Sequence, residues 1–135
     1  MEAVNMTAAV RYFSRSGNTK LVADAIAEEA GVSAVSVDQP DAALTEKVDV
    51  LFVGGALYAY GLDKHLKAYL ANLDASKVGK AVVFSTSWIS KHSIDLIRNA
   101  LKAKGITVAE NSFYVKNKAN AAQLEEAKAF TKTFI

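Results

Sequence analysis

Cysteine is absent from the 135-residue chain, which excludes disulfides, thiolate metal sites and thiol nucleophiles. Histidine occurs only at positions 65 and 92, tryptophan only at 88 and proline only at 40. General acid–base machinery is therefore sparse, and each histidine, in a loop or on a helix surface, reads as a solvated side chain. No apolar run approaches the ~20 residues of a membrane span. The opening MEAVNMTAA lacks the charged start and apolar core of a secretory signal. A dominant charge is missing too: 16 basic and 14 acidic residues give a net +2. The basic residues are scattered, which gives no reason to expect nucleic acid. A cytoplasmic protein without a membrane span is the expectation.

What is present is an alternation of two periodicities. About half of the residues are apolar, and 135 residues suffice to bury roughly two-thirds of the unfolded surface in one core. TAAVRYF reads as a strand, and residues 17–30 as an amphipathic helix with Leu21, Val22, Ala25, Ile26 and Ala30 on one face, stopped by Gly31. VSAVSV is a short strand, and QPDAALTEK a turn or short helix around Pro40. VDVLFVGG is almost wholly apolar, as in a sheet covered on both faces. LDKHLKAYLANL predicts a helix with Leu62, Leu66, Tyr69, Leu70 and Leu73 along one side. KAVVFST is a fourth strand, KHSIDLIRNALKAKG a helix closed by Gly105, and ITVAENSFYV a last strand, irregular around residues 110–112. AAQLEEAKAFTKTFI is a final helix. No repeat, linker or low-complexity segment divides residues 1–135, so one domain is expected.

Five strands alternating with helices predict an α/β fold, a parallel sheet with helices on both faces. Ligands of such open sheets sit beyond the carboxyl ends of the central strands, where the strand order reverses. Three loops are singled out: residues 14–19, 55–63 and 85–92. In the first, SRSGNT, a helix N-terminus offers unpaired N–H groups and the positive end of its dipole. Ser14, Ser16 and Thr19 add hydroxyls, and Gly17 permits a tight turn. One capping residue, Ser16 or Asn18, is enough to start a helix, and this stretch has a surplus. Neither GxxxxGK[ST] nor GxGxxG occurs, so the turn suits a phosphate that is held without being transferred. The other two loops carry Tyr58, Tyr60 and Trp88, faces on which a flat ring can stack.

YFSRSGNT resembles the phosphate-loop signature of the flavodoxin family, and the resemblance extends along essentially the whole chain. It implies a flavodoxin-like three-layer sandwich with a five-stranded parallel sheet of order 2-1-3-4-5. It also implies FMN, cycling between oxidised, semiquinone and hydroquinone states in electron transfer with redox partner proteins or a small-molecule electron acceptor. Carried over, Ser14, Ser16, Gly17, Asn18 and Thr19 hold the phosphate, with Arg15 contributing its backbone. The second flavin loop matches Leu57, Tyr58, Ala59, Tyr60 and Gly61. Tyr58 or Tyr60 covers one flavin face, and Gly61 is the peptide that reorients when flavin N5 is protonated. Ser85, Thr86 and Ser87 lie near the pyrimidine edge or ribityl chain, and Trp88 is the other stacking side chain. No catalytic or metal-ligating residue is implied.

Two departures stand against the family pattern. Electron-shuttling flavodoxins are usually acidic, whereas Arg15, Lys64, Lys67 and Lys91 lie in or beside these loops. Cations there favour anionic reduced flavin and anionic substrates, so a small flavin-dependent oxidoreductase, such as a quinone reductase, stands as an alternative. A flavodoxin-fold binding domain without flavin is a third reading. The second departure is Arg11, a charge inside a core strand, expected near the sheet's end or paired with a carboxylate such as Glu110.

Overall fold

The computed structural model describes residues 6–58, 61–87 and 91–135. Strands β1 (Ala8–Tyr12), β2 (Ala34–Ser36), β3 (Val48–Gly55), β6 (Val78–Thr86) and β7 (Phe113–Val115) form one sheet, while β4 (Leu57–Tyr58) and β5 (Gly61–Leu62) form a small antiparallel pair. All neighbours in the large sheet are parallel, in the order β2-β1-β3-β6-β7. With the hairpin strands left out of the count, this is the expected order 2-1-3-4-5. Helices α1 (Asn18–Ala30), α2 (Lys64–Asn72), α3 (His92–Ala103) and α4 (Ala121–Lys132) complete the layers. Among the described residues no helix is long and apolar enough to cross a membrane.

The two-residue period of the strands divides the core in two. Val10, Phe52, Val82 and Phe84 pack with Val22 and Ile26 of α1 and Ala127 of α4. Leu51, Val53, Ala81 and Val83 pack with Leu66 and Leu70 of α2 and with Ile97 and Leu101 of α3. The central strand β3 has the expected bounds, because a strand apolar on both faces is legible as one run. The face of α1 is wider than its spacing suggested: Ala23 and Ala27 are buried as well, while Leu21 and Ala30 are only half-buried.

Arg11 corrects one expectation. It does lie near the carboxyl end of β1, but its partners are carbonyls: Nε donates to Ala42 O at 2.7 Å and Nη1 to Val10 O at 3.1 Å. Tyr69 Oη donates to the same Ala42 oxygen at 3.3 Å. The half-buried guanidinium thus pins the short 3-10 turn Pro40–Ala42 to the sheet. The Glu110 segment is held instead by Arg98, whose Nη1 donates to the Ala109 and Glu110 carbonyls at 2.6 and 3.2 Å.

Candidate functional site

The turn after β1 is built by its own side chains. Ser14 Oγ accepts the Gly17 N–H at 2.9 Å, which closes the turn. Gly17 is the N-cap of α1, in the left-handed region at φ 93°, a conformation that costs a residue with a Cβ roughly 1–2 kcal/mol. The expected side-chain cap is missing: no side chain makes a capping bond, and Ser16 Oγ reaches the Asn18 N–H only at 3.5 Å. Leu21 N–H is the first to find a backbone acceptor, Gly17 O at 3.2 Å. Among the described residues the Thr19 and Lys20 N–H groups have none. The first turn also carries no acidic residue, although the dipole favours one there. A helix start with a glycine cap, free donors and no carboxylate is an anion site by its chemistry.

The remaining loops lean on this turn. Thr19 is 1% exposed, its Oγ1 2.6 Å from Thr86 Oγ1 at the end of β6. Asn18 Nδ2 donates to Asn117 Oδ1 at 3.1 Å, from the loop after β7. Asn117 is at φ 66°, which asparagine tolerates better than most residues. A cleft of about 290 Å³ opens among Ser16, Asn18, Leu57, Tyr58, Thr86, Ser87 and Asn117, with Ala56. One end of it is polar and anion-seeking, and the rest mixes apolar and hydroxyl side chains. That donor set fits FMN, whose phosphate would meet the α1 terminus and whose ring system would meet Leu57 and Tyr58.

Several expected site residues make structural contacts of their own. Ser85 is fully buried, and its Oγ donates to Gly55 O at 2.5 Å and lies 2.6 Å from Ser93 Oγ, so it ties β6 to β3 and α3 beneath the cleft. Ser87 lines the cleft while its carbonyl accepts from Tyr114 Oη at 2.6 Å. Gly61 faces Tyr58 across the β4–β5 pair. The Arg15 N–H is taken by Tyr58 Oη at 3.2 Å. Ala59, Tyr60 and Trp88 lie outside the described residues.

Arg15 and His65 meet at a residue the sequence reading passed over, Asp63. Its Oδ2 accepts from Arg15 Nε and Nη2 at 2.9 and 2.7 Å, and its Oδ1 accepts the His65 N–H and faces His65 Nδ1 at 2.7 and 2.8 Å. The Arg15 guanidinium lies 3.9 Å from the Tyr58 ring centre. His65, expected to be merely solvated, stacks on Phe13 with ring centres 4.8 Å apart. Burial pushes the Asp63 carboxyl up, but the His65 N–H, the Arg15 guanidinium and the His65 ring outweigh it and hold it below the usual carboxylate range. The latch joins the phosphate turn to the cap of α2. Asn117 is the cleft residue outside the three loops singled out from the sequence, and its signal is an asparagine in VKNKAN, just past a strand's carboxyl end, while Ala56 and Asp63 fall inside the loop 55–63.

The family model of the flavodoxin domain matches residues 9–131. The chain belongs to the flavodoxin family. Among solved structures, a flavodoxin from the domain Archaea is similar at a TM-score of 0.74 and 23% identity, over 96% of both chains. Flavodoxin 1 from Bacillus cereus is similar at 0.75 and 22%, over 94% of this chain and 95% of that one. A short-chain flavodoxin associated with a bacterial microcompartment is similar at 0.74 and 20%, over 96% and 97%. At these identities the likeness is one of fold. No curated protein matches the chain.

Proposed function

We propose that this flavodoxin-family protein binds FMN in the cleft and serves as an electron carrier in the cytoplasm. The observation that carries the reading is that the open helix terminus at residues 17–20 and the loops after β3, β6 and β7 converge on one cleft. FMN supplies one-electron chemistry when bound. The chain's own part would be to hold it: the Ser16 hydroxyl and the N–H groups that open α1 would meet the phosphate. Leu57 and Tyr58 keep water from the ring. Gly61, opposite Tyr58, gives the hairpin a peptide free to adjust. Neither histidine lines the cleft, so the residues found there supply no histidine acid or base, as suits a carrier. The reductase reading leaned on four basic residues, and it loses weight at Arg15, which is ion-paired with Asp63, while Lys64, Lys67 and Lys91 keep their charge.

Titration of the protein with FMN tests the reading: flavin fluorescence should be quenched and its absorbance red-shifted at micromolar affinity, and no binding would sink it. Gly17→Asp should weaken FMN binding at least about tenfold, because a carboxylate then occupies the helix terminus. Aspartate is also a favoured cap, which offsets part of the left-handed strain, so the melting temperature should change little. Loss of binding with a collapsed melting temperature would refute that assignment for Gly17.

A further inference from the structure

A larger cavity, about 440 Å³, lies between α2 and α3 and reaches Gly61 of the β4–β5 pair. Leu62, Leu70, Leu96 and Ala100 line it, and its only charged lining residues are Lys67 and Lys104. Lys104 Nζ is held by the Ala71 carbonyl at 2.8 Å. Lys67 Nζ lies 3.8 Å from where a Cβ would sit on Gly61, and its ammonium has no partner among the described residues. The groove thus joins an apolar lining to a free cation, beside the hairpin that walls the candidate flavin cleft.

The surrounding charge is predominantly positive. Along the helices themselves, α2 and α3 carry Lys64, Lys67, Arg98 and Lys102 against Asp95 alone. At the helix ends Lys91 and Lys104 stand with Asp63 and Asp74, and of these carboxylates Asp63 is committed to Arg15 and His65. The opposite layer is the reverse: α1 and α4 carry Asp24, Glu28, Glu29, Glu125 and Glu126 against three lysines. The protein is therefore electrically polarised across its sheet, and an approaching anionic surface is steered to the α2/α3 face.

We infer that this groove docks an acidic protein, one presenting an apolar side chain ringed by carboxylates. The inference rests on the carrier reading in one respect, that the partner is a redox protein. Gly61 pairs with Tyr58, so a protein seated there lies one short hairpin from the cleft. A groove of this size accepts one or two side chains, which suits the small, transient interfaces of redox encounters, below about 1,200 Å².

The test uses a plant-type ferredoxin as the acidic probe and cytochrome c as the basic one, each added to ¹⁵N-labelled protein at low ionic strength. The ferredoxin should give saturable amide shifts centred on Gly61, Lys67, Leu96 and Ala100 that fade as salt is raised. Lys67→Glu should weaken that binding about tenfold, Lys67→Arg should preserve it, and FMN affinity should be unchanged in both. Three results overturn the inference: no saturable shifts with ferredoxin, shifts centred on α1 and α4, or groove shifts produced by cytochrome c. Amide shifts are read with or without FMN, so a protein that binds no flavin would sink the carrier reading and leave this measurement standing.

Discussion

Gly54→Ala is expected to cost about 3 kcal/mol or more of folding stability. Gly54 pairs with Tyr12 on one side and Phe84 on the other, in the middle of the sheet. A Cβ there would overlap the Phe84 carbonyl and the Phe84 ring, which is fully buried. The carbonyl belongs to the backbone of β6 and cannot rotate away, so either β3 and β6 separate or the core around Phe84 repacks. Gly55 is the internal control. Its Cβ would meet the tip of Leu66, at 2.5 Å, which a rotamer change relieves. Urea unfolding should place Gly54→Ala well below Gly55→Ala in midpoint. Equal midpoints would show that β3 and β6 are less closely apposed than the structure has them.

The contrast between these glycines shows what a sequence makes legible. VDVLFVGG announced a central strand through its unbroken apolar run, because both its faces are covered. The glycines' separate duties depend on what lies across the sheet and were not visible. The last strand, expected over residues 106–115 with an irregularity at 110–112, is interrupted there: Phe113–Val115 forms the strand, and only an isolated bridge from Val108 to Ala81 precedes the break. The cause is remote: Arg98 of α3 takes the Ala109 and Glu110 carbonyls out of the ladder. The β4–β5 pair was hidden inside a segment read as a loop, since two-residue strands have no period to detect. At the site, SRSGNT carried its meaning locally, as a turn closed by Ser14 and Gly17 does. Asp63 did not, because its partner Arg15 is 48 positions away.

Asp63→Ala should lower stability by about 2 kcal/mol at neutral pH, below the range for a fully buried ion pair. The effect falls below that range because Arg15 is 56% exposed and keeps its water when released, so no buried charge is left unpaired, although the Asp63 side chain itself is only 6% exposed. The loss includes the cap of α2, worth about 1 kcal/mol, since Asp63 Oδ1 accepts the His65 N–H. Asp63→Asn can keep that cap while losing the charge, and should cost about half as much. The pH dependence separates ion pair from cap. The folded-state pKa of Asp63 lies below its unfolded value of about 3.9, so the unfolded chain binds more protons in that window and stability rises with pH. The contribution is complete above the unfolded pKa and disappears as pH falls through the folded one. Wild type and Asp63→Asn, compared by urea midpoint, should differ at pH 7 and converge at strongly acid pH. A gap that persists there would mean that the charge is not what Asp63 contributes. FMN affinity of Asp63→Asn should fall at neutral pH as well, because Arg15 is then no longer anchored and the turn proposed to hold the phosphate loses its tie to α2.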